Sequence, residues 1–269
     1  LVGYFGYDTV RYVEKKVQHS MPPDVIGTPD ILLMVSNDVM VFDNVKGKIH
    51  LITHADPAVE NAFVSAQARL DNMAAGMQAL IPLDIRKPSV GPAVHEEDFV
   101  SSYGQGRFKA DVEKIKDYIQ AGDVMQVVLS PRMSITLESD PLNLYRALRA
   151  LNPSPYMYYM DLGDFHIVSS SPEILARLDN GQVTVRPLAG TRRRGIDEAE
   201  DMALESELLA DTKERAEHLM LIDLGRNDIG KVCTTGSVDV TEMMTVERYA
   251  HVMHIASNVQ GQLAAGYTA

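Results

Sequence analysis

Phe108, Val112, Ile115 and Ile119 recur every three or four positions, with charged residues between them. That period predicts an amphipathic helix, and Gly122 is placed to end it. Residues 31–55, ILLMVSNDVMVFDNVKGKIHLITHA, run apolar in shorter bursts and predict two strands joined by the turn residues Asp43 to Gly47. Asp56-Pro57 then predicts an N-cap with proline at the first helical position, opening a helix that runs to about Gln78. IPLDIRKPSVGP (81–92) has three prolines and no periodicity, and predicts a linker. VMQVVLSPRMSITL (124–137) turns β-like. On a strand Val124, Gln126 and Val128 share a face, so a buried Gln126 needs a hydrogen-bond partner.

Leu142 to Leu151 predicts a short helix, and residues 152–191 a run of strands with a tight hairpin at Asn180-Gly181. From Asp197 the pattern is helical, with Leu204, Leu208, Thr212, Ala216 and Met220 in one stripe. Glu214 and Glu217, three apart, fall on a common side of that helix. KVCTTGSVDVT (231–241) returns to strand. Long strand runs interrupted by helices predict an α+β fold.

Composition narrows the function classes. The 269 residues suffice for one large domain or two modest ones. No apolar run approaches the ~20 residues of a membrane helix, and no leader pattern stands at the start. A net charge of -12 and a pI near 5.1 argue against non-specific nucleic-acid binding. The single cysteine, Cys233, excludes an internal disulfide and a cysteine-cluster metal site, and a reducing, cytoplasmic setting is expected. The first residues, LVGYFGYDTV, have the character of an interior strand, and the last, GQLAAGYTA, stop without a terminal element. Both ends suggest a segment of a longer chain.

Several polar residues stand in apolar surroundings. Glu173, in SSSPEIL, is either a carboxyl whose pKa is raised for general-acid work or a turn carboxylate facing water. Glu214 and Glu217 either hold a hard cation such as Mg²⁺ or lie on a solvated face, trading weak pairs with Lys213 and Arg215. His254 is either catalytic or a core histidine with a satisfied ring. Gly190-Thr191 lets backbone approach a ligand and offers a hydroxyl. Arg192, Arg193 and Arg194 either engage carboxylates of a ligand or pair with the acidic run Asp197, Glu198, Glu200 and Asp201.

AGDVMQVVLS, NPSPYM, SSSPEIL, RPLAGTRRRG, DTKERAEHLMLIDLGRND and HVMHIASNVQG occur here in the order found in one family. Together they resemble the chorismate-utilising enzymes, and within them the synthase subunits of anthranilate synthases. The resemblance covers nearly the whole chain. It implies a complex α+β sandwich of antiparallel sheets flanked by helices, incomplete at both ends. Residues 1–80 would belong to the N-terminal region, 81–97 to a linker and 98–269 to the chorismate-binding catalytic region, with the C-terminal part missing.

The resemblance also assigns roles. Glu217 matches a Mg²⁺ ligand, with Glu214 in the metal's surroundings. Glu173 matches the general acid that assists loss of the chorismate 4-hydroxyl. Ala189, Gly190 and Thr191 match the substrate-contacting stretch, and His254 the histidine of pyruvate elimination. Asn152, Pro153, Pro155, Tyr156 and Met157 match part of a tryptophan feedback pocket. Family members that add water carry lysine at the position of Gln126, and glutamine has no titratable nitrogen. Members with a covalent route carry a nucleophilic lysine at the position of Ala189, and a methyl group cannot attack. Both positions imply direct addition of ammonia. The implied partners are chorismate, a glutamine amidotransferase subunit that supplies ammonia in a hetero-oligomer, and tryptophan as inhibitor. No nucleic acid or membrane is expected. The rival readings are another chorismate chemistry, ending at aminodeoxyisochorismate, aminodeoxychorismate, isochorismate or salicylate, and a non-catalytic module binding tryptophan or a partner.

Overall fold

The computed structural model describes residues 1–79 and 93–268. The chain divides into two compact units, Leu1–Val90 and Gly91–Ala269. The linker expected over 81–97 lies largely outside the described residues; of its described part, Glu96 and Glu97 enter a single 3-10 turn that ends at Asp98.

In the first unit β1 (Val2–Phe5) leads through α1 (Val10–Val13) to β2 (Ile31–Met34), which pairs antiparallel with it. β3 (Asp38–Asp43) and β4 (Lys48–Thr53) form a separate hairpin, followed by α2 (Ala62–Gln78). Residues 31–55 therefore make three strands, not two. The polar Ser36-Asn37 step interrupts the apolar run, and its two halves take different partners. The helix also starts later than Asp56-Pro57 suggests. The Asp56 carboxylate accepts from the Ala58 N–H at 2.9 Å, and its carbonyl from Val59 at 3.1 Å, so Asp56 closes a local turn. Asn61, at φ 58°, redirects the chain before α2 can propagate.

The second unit opens with β5 (Val100–Ser101), α3 (Gln105–Ala121), β6 (Met133–Ser134) and α4 (Pro141–Leu151). α3 stops at Gly122, whose φ of 81° is the left-handed cap that glycine adopts without strain. The strand expected over 124–137 is not formed. Only Met133–Ser134 pairs, with β5, and among the described residues no strand gives Val124 to Val128 a ladder. Val128 is accordingly 81% exposed.

β7 (Tyr156–Asp161) and β8 (His166–Ser171) form a hairpin. β9 (Arg177–Asp179) and β10 (Gln182–Val185) form another, turning at Asn180-Gly181 with φ 49° and 81°. Then follow β11 (Leu188–Arg193), α5 (Glu198–Ala210), α6 (Thr212–Gly230), β12 (Asp239–Arg248) and β13 (Val252–Gln262). β13 is the spine of a five-stranded antiparallel sheet. It pairs with β12 along nearly its whole length, with β11 over Val252–Ala256 and with β10 over Val259–Gln262.

α5 and α6 lie against this sheet. Leu208 of α5 packs with Met253 and Ile255, and Ile222 and Ile229 of α6 pack with Val183 and Val259. Leu208, Met253, Ile255 and Val259 are fully buried, each such side chain contributing roughly 1.5–3 kcal/mol. The single stripe expected over 204–220 is split between two helices. Asp211, extended at ψ 112°, ends α5 and caps α6 by accepting from the N–H groups of Lys213 (2.9 Å) and Glu214 (3.2 Å). The architecture is α+β with antiparallel sheets and flanking helices. No described helix is long and apolar enough to cross a membrane.

Candidate functional site

β11 organises the site. Its register with β13 skips Gly190, a bulge between Ala189 and Thr191. Gly190 has φ 70°, and a Cβ there would lie 3.1 Å from Leu208 Cδ1, 3.2 Å from Ile255 Cδ1 and 3.4 Å from Glu214 Cβ. The left-handed backbone conformation favours glycine, and the close approach of Leu208 of α5 and Ile255 of β13 leaves little room for a side chain. Past the bulge, Thr191 stands directly opposite His254, where cross-strand side chains share a face. The His254 Nδ1 is 3.1 Å from Thr191 Oγ1 and 3.1 Å from the Gly190 carbonyl oxygen. Tyr249 meets the imidazole edge-on at 5.6 Å. Ala189 is buried, paired with Ile255.

Glu173 follows β8 and reaches the start of β11, where its Oε1 accepts from the Leu188 N–H at 3.0 Å. The residue is exposed as a whole. Its carboxyl is nevertheless partly desolvated, which raises its pKa above the ordinary carboxylate range; the Leu188 donor and nearby His254 pull the other way. A cleft of about 480 Å³ opens here, lined by Glu173, Ile174, Arg186, Leu221 and Asp228 among others.

Gln126 departs from expectation in its setting. It is an exposed residue of an irregular segment, not a buried strand position. It still has a partner, because its Nε2 donates to Glu217 Oε1 at 3.1 Å. Glu214, one turn earlier on α6, is half-buried and lies 3.5 Å from Arg192 Nη1. Arg192 also reaches Glu207 and Asp211, both at 2.9 Å. Arg193 pairs with Glu200, and Arg194 with Asp201 at 2.7 Å. Two of the three arginines thus pair with the acidic run, and Arg192 ties β11 to the junction of α5 and α6. Arg194 and the Gly195 N–H hold the buried Asp201 far below the usual carboxylate range.

Glu214 and Glu217 offer hard oxygen donors one turn apart, which suits Mg²⁺, an ion that takes one or two carboxylates and keeps several waters. Among the described residues no larger gathering of His, Cys, Asp or Glu could hold a metal.

Asn152, Pro153, Pro155, Tyr156 and Met157 lie where α4 runs into β7. The Asn152 carbonyl accepts from Ser170 Oγ at 2.8 Å, and Tyr156 and Met157 pair with Ser171 and Ser170. Two links lead from there toward the site: Ser171 Oγ, opposite Tyr156, donates to the Glu173 carbonyl oxygen at 3.0 Å, and His251, in the turn before β13, lies with Nε2 3.1 Å from the Leu151 carbonyl oxygen.

Two supporting groups escaped the sequence reading. Arg186 bonds to Asn258 at 3.0 Å and to Glu247, which also accepts from Tyr249 at 2.8 Å. His218 is fully buried, with Nε2 2.7 Å from Ser257 Oγ, and joins α6 to β13. Arg186 stands in the RPLAGT stretch already singled out, but its partners lie over sixty residues away. His218 follows Glu217 directly, which was the available signal.

The family of chorismate binding enzymes matches residues 1–269. The chain is 57% identical to "anthranilate synthase component 1" of Pseudomonas putida, over all of this chain and 55% of that protein. It is 53% identical to the protein of the same name from Neisseria meningitidis serogroup B, over all of this chain and 54% of that protein. The crystal structure of anthranilate synthase component I from Streptococcus pneumoniae superposes with a TM-score of 0.89 at 39% identity, covering 99% of this chain and 58% of that one. The chain spans about half the length of the curated relatives it matches.

Proposed function

The chain belongs to the chorismate-binding enzymes, and on that premise we propose that it forms the core of the synthase component of an anthranilate synthase. The reaction is a lyase chemistry that begins tryptophan biosynthesis. Chorismate is aminated by ammonia, and pyruvate is then eliminated to leave anthranilate. The observation that carries this reading is the convergence on β11: Glu173 bonds to Leu188, His254 to Gly190 and Thr191, and Arg192 to Glu214.

Glu173, whose pKa partial burial raises, gives its proton to the departing 4-hydroxyl, which leaves as water. Ammonia forms the C–N bond at C2 as the ring double bonds shift, and the surplus ammonium proton goes to solvent. His254 then accepts the C2 proton. The bond from ring carbon to enolpyruvyl oxygen breaks and the ring becomes aromatic, while the enolpyruvate that leaves takes a proton on its methylene carbon, matching the one His254 accepted, to give pyruvate. Gln126 has no nitrogen that could activate water, and ammonia needs no such base. Ala189 closes the covalent route. Glu217 and Glu214 are the residues that would hold Mg²⁺, which when bound would neutralise charge on the substrate carboxylate. A glutamine amidotransferase subunit supplies the ammonia in the cytoplasm, and tryptophan acts through the segment at 152–157.

Product identification in the full-length protein, given chorismate, Mg²⁺ and ammonium, tests the proposal. Anthranilate is expected. Salicylate or isochorismate would overturn it, and accumulation of aminodeoxyisochorismate would show that the reaction stops after amination.

A further inference from the structure

The histidine of the site has two ring nitrogens, and its neighbours distinguish them. His254 Nδ1 faces the Gly190 carbonyl oxygen at 3.1 Å. A carbonyl oxygen has no proton to give, so the nitrogen that bonds to it carries one. In the neutral ring this leaves the lone pair on Nε2. Thr191 Oγ1, also 3.1 Å from Nδ1, can share the same N–H as a second acceptor. Free imidazole side chains in water favour the opposite form, so this arrangement is imposed by the protein.

The imposition comes from the backbone. The β11–β13 register skips Gly190, so this residue has no ladder partner, and its φ of 70° is one that other residues rarely adopt. The next residue, Thr191, is in register with His254. The edge of Tyr249 lies against the ring at 5.6 Å, and the Tyr249 hydroxyl is held by Glu247 at 2.8 Å. The imidazole is therefore fixed by a carbonyl, a hydroxyl and an aromatic edge.

We propose that Gly190 and Thr191 are positioning residues that fix His254 in the Nδ1–H tautomer, so that Nε2 is the nitrogen presented as proton acceptor. This deepens the reading of His254 as the base of pyruvate elimination and rests on it. The tautomer itself is a property of the protein without substrate, so the two can fail separately.

Nitrogen NMR on the full-length protein with isotope-labelled histidine tests the first part, with His254→Gln assigning the signal. In the neutral ring, a pyrrole-type Nδ1 and a pyridine-type Nε2 are expected. The reverse pattern would overturn the proposal. Thr191→Val removes the second acceptor and Thr191→Ser keeps it. The valine variant is expected to show a mixture of tautomers and to lose about tenfold in kcat, beyond any change in KM from lost substrate contact, with serine restoring both tautomer and kcat. A raised KM at unchanged kcat and tautomer would mean that Thr191 only contacts substrate, and would overturn its positioning role. An Nδ1–H signature in a protein that never forms anthranilate would uphold the tautomer and refute the proposed reaction.

Discussion

Thr191 and Gln126 each bring one polar side chain to the site, by different means. Thr191 belongs to a ladder in which five residues of β11 pair with β13, and its place opposite His254 is set by backbone register. Gln126 lies in an irregular, exposed segment and meets Glu217 through a single side-chain hydrogen bond of 3.1 Å. The comparison separates two kinds of placement. The histidine that accepts a proton is fixed by the sheet, where a one-residue slip would turn every side chain to the wrong face. The neutral amide is held by side-chain contact alone, so its chemistry can change with little cost to the fold.

The largest effect should come from the acid. Glu173→Gln should lower kcat by about 10²–10⁴-fold in the full-length enzyme, measured by steady-state anthranilate formation. Burial raises the Glu173 pKa, so the acid form persists to higher pH than an ordinary glutamate allows. Activity should fall as pH rises through that raised value, and the glutamine variant should lack this limb. The folded chain also binds the proton more readily than the unfolded one, so the Glu173 contribution to stability should decline over the same rise in pH.

Breaking the ladder comes next. Gly190→Ala must hold alanine at φ 70° with its Cβ 3.1 Å from Leu208 and 3.2 Å from Ile255. A loss of about 1–3 kcal/mol is expected in denaturant unfolding. The far end of β11 gives a pH-dependent version. Arg194 and the Gly195 N–H lower the Asp201 pKa, so its contribution is present above the unfolded value and is lost as pH falls through the folded one. Asp201→Asn should lower the denaturant midpoint at neutral pH and flatten the decline on the acid side.

The smallest structural effect should be Gln126→Lys. Stability should stay within about 0.5 kcal/mol of wild type. The product mixture of the full-length enzyme should shift toward a hydroxylated product. Its complete absence would count against the role given to Gln126.

The same contrast explains what the sequence made legible. The helix at 105–121 and its stop at Gly122, the helix ending at Leu151 and the hairpin at Asn180-Gly181 are local features, set by period, cap and turn. The failures were tertiary or competitive. Val124 to Val128 had strand character and, among the described residues, no strand to pair with. Asp56 spent its carboxylate on a turn, and Asp211 cut one helical stripe into two helices by capping the second. At the site, ordered motifs pointed to Glu173, Gly190, Thr191, Glu217 and His254, and the ladder shows how three of these meet. Arg192 remained open because its partners Glu207, Asp211 and Glu214 stand on other elements, beyond the acidic run nearby.

The most direct test of the account is anomalous diffraction from crystals of the full-length protein soaked with Mn²⁺, in place of Mg²⁺, and chorismate. The account predicts a metal peak beside Glu217, with the substrate lying against Gly190-Thr191. No metal peak beside Glu217, with the substrate bound away from β11, would contradict it.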